Sequence, residues 1–128
     1  MKPAGSDSEH GDTIHTMRGL TIDRNHFGPD WSSLAVSGEI DLATVDELDK
    51  EIKSVLESDG GNLAVDLRTS DFMDSTGLRC LVMADRSFRE ADRKFALVVT
   101  NGPISRLIDL SGVDSTIQIV SSPDELLT

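Results

Sequence analysis

The apolar residues of this chain change their spacing along its length, and the changes mark out its elements. Met17, Leu20 and Ile22 form a weakly patterned strand-like segment. From Trp31 to Ile40, Leu34, Val36 and Ile40 share one face at a spacing of two, which predicts a strand. His26-Phe27-Gly28-Pro29-Asp30 is a turn between the two, so they are expected to form a hairpin. Val45, Leu48, Ile52, Val55 and Leu56 recur at helical spacing and predict a helix over 44–58. Thr44 and Glu47 read as its capping box, and Gly60-Gly61 as its end. Leu63 to Leu67 is a short buried strand, followed by a polar loop from Arg68 to Asp74 and a helix from Ser75 to Ala91. Phe95 to Thr100 is the next strand. Pro103 opens a third helix, with Ile104, Leu107 and Ile108 on its buried face and Gly112 as its stop. Ile117 to Val120 is a last short strand, and Ser122-Pro123-Asp124-Glu125 signals a final helical start with its own capping box.

Two strands followed by alternating helix and strand imply parallel crossovers added to an antiparallel hairpin. The expected fold is α/β: one domain, a mixed β-sheet with an N-terminal hairpin, and helices packed on it. A length of 128 residues suits a single domain. Residues 1–13 are polar, contain Pro3, Gly5 and Gly11, and lack the apolar stretch of a signal peptide. They are read as a flexible tail preceding a domain at 14–128. The longest apolar runs, such as Phe95 to Val99, are too short to span a bilayer, so a cytoplasmic protein with no membrane contact is expected.

Charge narrows the function. Twelve basic against 23 acidic residues leave a net charge of −11, which argues against a phosphate-neutralising nucleic-acid surface and disfavours anionic lipid. Cys80 is the only cysteine, so neither an internal disulfide nor a thiolate zinc site can form.

The candidate chemistry lies between Asp66 and Arg79. Asp66 ends a strand; Asp71, Asp74, Ser75, Thr76 and Gly77 follow, and then a helix begins. Strand ends of this kind are where α/β sheets usually build ligand sites. Taken alone, Asp-Ser-Thr-Gly before an apolar helix is more often only a start signal, with Asp74 or Ser75 as N-cap. The helix adds information. Gly77, Leu81, Ala84, Phe88 and Ala91 gather on one side, which must face the sheet. Ser75, Arg79, Val82, Arg86 and Arg93 gather on an outward side. The plain reading of that arginine stripe is a solvated face. The sharper one is a hydroxyl at a helix N-terminus that can carry phosphate without unfolding the helix, adding roughly −1.5 to −2 charges to a binding face.

Phe72-Met73-Asp74-Ser75-Thr76-Gly77-Leu78 resembles the signature of STAS-domain anti-sigma factor antagonists. Ser37-Gly38-Glu39-Ile40-Asp41 and Leu107-Ile108-Asp109-Leu110-Ser111-Gly112-Val113 resemble two further stretches of that family, in the right order. The resemblance spans about Thr16 to Leu127. It implies a STAS-like domain that is a regulator and not an enzyme, with no catalytic residue, metal or cofactor. It implies a cycle: the unphosphorylated antagonist binds an anti-sigma factor of the GHKL serine-kinase type, the sigma factor is released, phosphorylation ends the association, and a PP2C-type phosphatase resets it. On this resemblance Ser75 is the phosphorylated residue, with Thr76, where many members carry Ser, as a minor alternative acceptor. Asp74 holds the helix start and contacts the partner, and Asp41 belongs to the same surface. With the outward helix face, the expected partner-binding set is Asp41, Asp74, Ser75, Thr76, Gly77, Arg79, Val82 and Arg86, on a monomer or weak dimer.

Three alternatives compete with this reading. A phosphoaspartate receiver needs an early acidic pair and a Lys at a late strand end, whereas Lys94 precedes its strand. A metal site from Asp66, Asp71 and Asp74 competes with simpler roles at a strand end and a helix cap. His10, His15 and His26 read as surface residues, Cys80 as a partly buried helix residue, and Trp31 as a strand anchor. The third alternative keeps the fold and changes the role: a STAS scaffold or a regulatory subunit of a stress-signalling or transport system.

Overall fold

In a computed structural model that describes residues 12–17, 19–58 and 60–127, the chain forms one six-stranded sheet covered by three helices. The strands are β1 (Asp12–Met17), β2 (Leu20–Phe27), β3 (Trp31–Ile40), β4 (Asn62–Met73), β5 (Phe95–Val98) and β6 (Gln118–Val120). The helices are α1 (Val45–Ser58), α2 (Ser75–Glu90) and α3 (Pro103–Ser111). The strands lie in chain order, with β1, β2 and β3 antiparallel and β3 to β6 parallel. The mixed sheet and its hairpin are therefore those expected from the pattern.

All three helices cover one face. Leu34, Val36, Leu63, Val65, Leu97 and Phe95 from the strands meet Leu48, Ile52, Leu81, Phe88 and Ile108 from the helices in one buried cluster. The opposite face carries a smaller cluster of Trp31, Ala64, Ala96, Val98 and Val120, with Phe27 stacked on Trp31.

Several elements depart from the expectation. The segment around Met17, Leu20 and Ile22 is two strands, because Gly19 turns the chain at φ +85°. β1 starts at Asp12, inside the expected tail; the rest of that tail, residues 1–11, lies outside the described residues. The polar loop from Arg68 onward is the second half of β4. It stays paired with β3, through Ser37↔Thr69, Gly38↔Ser70 and Ile40↔Met73, after β5 has ended opposite Asp66. A strand paired on one side only, with its faces in water, carries no apolar alternation for a pattern search to find. The register shifts twice in this half, and two extra residues of β4 are bulged out before Met73 returns to the core.

α2 ends at Glu90, and Ala91 is its exposed C-cap. Arg93 is not on the outward stripe. Its guanidinium donates to the carbonyls of Gly61, Leu56 and Val55 and lies 4.7 Å from the Phe88 ring, satisfying the free carbonyls at the end of α1. The capping box expected at α1 also differs. Thr44 turns its hydroxyl back to donate to the Glu39 carbonyl at 2.8 Å. Asp41 takes over the cap, accepting from the Ala43 and Thr44 amides. The last helical start is a 3-10 turn over Pro123–Leu127.

Candidate functional site

The site forms where β3 and β4 end side by side. The Asp74 amide donates to the Ile40 carbonyl at 3.1 Å, so the start of α2 is tied to the end of β3. Asp74 has extended backbone angles and caps the helix. Its Oδ1 accepts from the Thr76 amide at 2.9 Å, the Gly77 amide at 3.3 Å and the Thr76 hydroxyl. That hydroxyl bond, with the Gly77 and Thr76 amides and the Leu42 amide of the neighbouring turn, holds the carboxyl below the usual carboxylate range. Asp74 thereby joins both strand-to-helix turns.

The expected site residues fall into three groups. Ser75, Arg79, Val82 and Arg86 are exposed on one side of α2, as the helical spacing predicts. The Ser75 hydroxyl makes no hydrogen bond among the described residues. Asp41, Asp74 and Thr76 are half-buried and committed to holding the two turns. Gly77 is buried and offers nothing to a partner. A Cβ there would lie 2.7 Å from both Ile40 Cγ2 and Met73 Cγ, so glycine is what lets α2 sit on the ends of the strands. Its place in the motif is a matter of packing, which corrects the expectation of partner contact.

Sequence reasoning missed the apolar rim. Leu42 is 77% exposed and Phe72 47% exposed, one in each turn region, and Met83 is exposed on α2. Each sits close in sequence to a buried apolar residue, so the spacing does not single it out. A groove of about 360 Å³ runs between α1 and α2, lined by Val45, Asp49, Lys53, Arg79, Cys80 and Met83, among others. Burial pushes the Cys80 thiol up to about 12, helped by the nearby Asp49 carboxylate, so it is a poor nucleophile. Asp66 is paired with Arg68 through bonds of 3.0 and 2.7 Å, and Asp74 Oδ1 is committed to the helix cap. No cluster of His, Cys, Asp and Glu that could hold a metal occurs among the described residues. None of their helices is long and apolar enough to cross a membrane.

The STAS domain family matches residues 26–126. The chain is also 32% identical, over 95 residues, to the anti-sigma-F factor antagonist RsfB of Mycobacterium tuberculosis, covering 74% of this chain and 77% of that protein. The chain belongs to the STAS-domain anti-sigma factor antagonist family. This STAS domain is 27% identical to the anti-sigma-B factor antagonist of Listeria monocytogenes, over 84% of its own length and 94% of the relative's. Its fold is that of an anti-sigma factor antagonist from Mycobacterium paratuberculosis, with a TM-score of 0.76, 27% identity, and 89% and 96% of the two chains covered. The α/β architecture expected from the resemblance is thus the observed one.

Proposed function

We propose that this STAS domain, with its functional unit at 14–128, is a cytoplasmic anti-sigma factor antagonist switched by phosphate on Ser75. Unphosphorylated, it binds an anti-sigma factor of the GHKL serine-kinase type, which then releases its sigma factor. The binding surface consists of the exposed arc of α2, Ser75, Arg79, Val82 and Arg86, bordered by Leu42 and Phe72. Asp41 and Asp74 hold that surface in shape.

The observation that carries the reading is the contrast between two adjacent hydroxyls. The Thr76 hydroxyl donates its hydrogen bond to Asp74, whereas the Ser75 hydroxyl is exposed and unbonded among the described residues at the first position of α2. In the transfer, Ser75 Oγ attacks the γ-phosphorus of ATP held by the kinase. The new O–P bond forms as the bond to the ADP oxygen breaks, and ADP leaves. The seryl proton must go to a base. Asp74 does not suit that role, because its carboxyl is held below the usual range and its Oδ1 is occupied by three bonds that hold the helix start. The base therefore comes from the kinase. The product phosphate adds roughly −1.5 to −2 charges to the binding face and repels any carboxylate the partner placed there. A PP2C-type phosphatase resets the cycle.

The tryptic peptide Thr69 to Arg79 holds Thr69, Ser70, Ser75 and Thr76. After incubation with ATP and native extract, tandem mass spectrometry is expected to find phosphate on Ser75. A well-recovered peptide with no phosphate, beside a labelled control substrate, would sink this reading in favour of a scaffold or transport regulator.

A further inference from the structure

The three arginines of α2 differ in how their charge is met. Arg89 pairs with Asp85 at 2.8 Å and also donates to the Thr116 carbonyl at 2.7 Å. Arg86 lies 3.8 Å from Glu90. Arg79 has no ion pair or side-chain hydrogen bond among the described residues. This is not for want of acids, since Asp46 and Asp49 line the same groove. Asp49 is instead engaged by Lys53 at 2.9 Å.

Geometry gives the free guanidinium a target. Ser75 and Arg79 are one turn apart, where Cβ atoms stand about 5–6 Å from each other. Helical side chains lean toward the N-terminus, so a long residue covers the turn before its own Cα. For Arg79 that turn is the one bearing Ser75. An anion placed N-terminal to a cation at this spacing is the favourable order. A guanidinium also fits phosphate oxygens with two parallel bonds.

We propose that Arg79 receives the phosphate in cis, forming a phosphoserine–arginine pair along α2. The inference rests on Ser75 being the modified residue and concerns the fate of its phosphate once attached. Phosphorylation then does two things at once: it adds a dianion to the binding face and withdraws the one uncommitted α2 cation from it. Before modification, Arg79 is free for a carboxylate of the anti-sigma factor.

The charged groups near this end of α2 are Asp74 at the cap, Asp41 on the neighbouring turn, and Asp46, Asp49 and Lys53 of α1 in the groove beside Arg79; Arg86 lies about two further turns along α2. The test must separate Arg79 from these. Phosphoserine is inserted at position 75 during translation with a suppressor tRNA, so no kinase is needed, and its second ionisation is followed by phosphorus NMR. With Arg79 present, that ionisation should lie below its ordinary value of about 6. Arg79→Gln should raise it by roughly half a unit, a threefold change in proton affinity, while Arg79→Lys should keep part of the shift. Arg86→Gln should leave it where it is. An ionisation unchanged in Arg79→Gln, or one that moves only in Arg86→Gln, overturns the pairing. Because Arg79 is exposed, circular dichroism should show the variants folded. If extract never labels Ser75 yet the inserted phosphate pairs with Arg79, the kinase reading fails and the pairing stands. Labelling without the Arg79-dependent shift gives the reverse.

Discussion

The turns that lead into α1 and α2 lie side by side, and each is organised by an aspartate. Asp41 accepts from the Ala43 and Thr44 amides; Asp74 accepts from those of Thr76 and Gly77. Their hydroxyls have opposite fates. Thr44 is 2% exposed and bonded to the Glu39 carbonyl and the Asp41 amide. Ser75 is exposed, and its hydroxyl has no partner among the described residues. The same side-chain chemistry is structural in one turn and available in the other. Burial and hydrogen bonding decide which, not residue type.

The largest expected effect breaks the symmetry chemically. Phosphate on Ser75 should weaken binding to the anti-sigma factor about a hundredfold or more, since like charges facing each other cost several kcal/mol. Ser75→Ala should bind constitutively, even after incubation with kinase and ATP. Titration calorimetry of modified and unmodified protein reads both.

Next comes the packing that joins the turns. Gly77→Ala drives a Cβ against Ile40 and Met73 and should cost about 1–3 kcal/mol. Gly60→Ala, with nothing within 4 Å, should be close to neutral. Urea unfolding of the pair distinguishes a steric site from general intolerance of substitution.

The hydroxyl contrast itself should show in stability. Thr44→Val leaves the Glu39 carbonyl and the Asp41 amide without that partner and should cost about 1–2 kcal/mol. Ser75→Ala should stay within about 0.5 kcal/mol of the parent. Equal losses in the two variants would erase the distinction drawn between the turns.

The smallest effect is acid dependence. The folded-state pKa of Asp74 is lowered, so its contribution is present at neutral pH and lost as pH falls through that folded value. Asp74→Asn keeps a capping oxygen but not the charge. The stability gap between parent and variant should be largest near neutrality, under about 1 kcal/mol, and close as pH falls through the lowered folded-state value of Asp74. Urea titrations across that range check it.

Local pattern in the sequence was enough for the three helices, the hairpin, the parallel crossovers and the outward face of Ser75, Arg79, Val82 and Arg86. Each depends on spacing within a few residues, which burial on one face imposes directly. The continuation of β4, the division at Gly19, and the recruitment of Arg93 to the carbonyls of α1 were not legible. Two of these depend on a partner distant in sequence, β3 for the second half of β4 and the end of α1 for Arg93; the turn at Gly19 is local but lies in a segment with only a weak apolar pattern. The site divides in the same way. Its motif announced a serine at a helix start, because capping residues and helix periodicity are local. That Thr76 is tied, Gly77 is packing, Leu42 and Phe72 form a rim and Arg79 is free was decided only when two strand ends met, because which polar group is satisfied depends on what the fold places beside it.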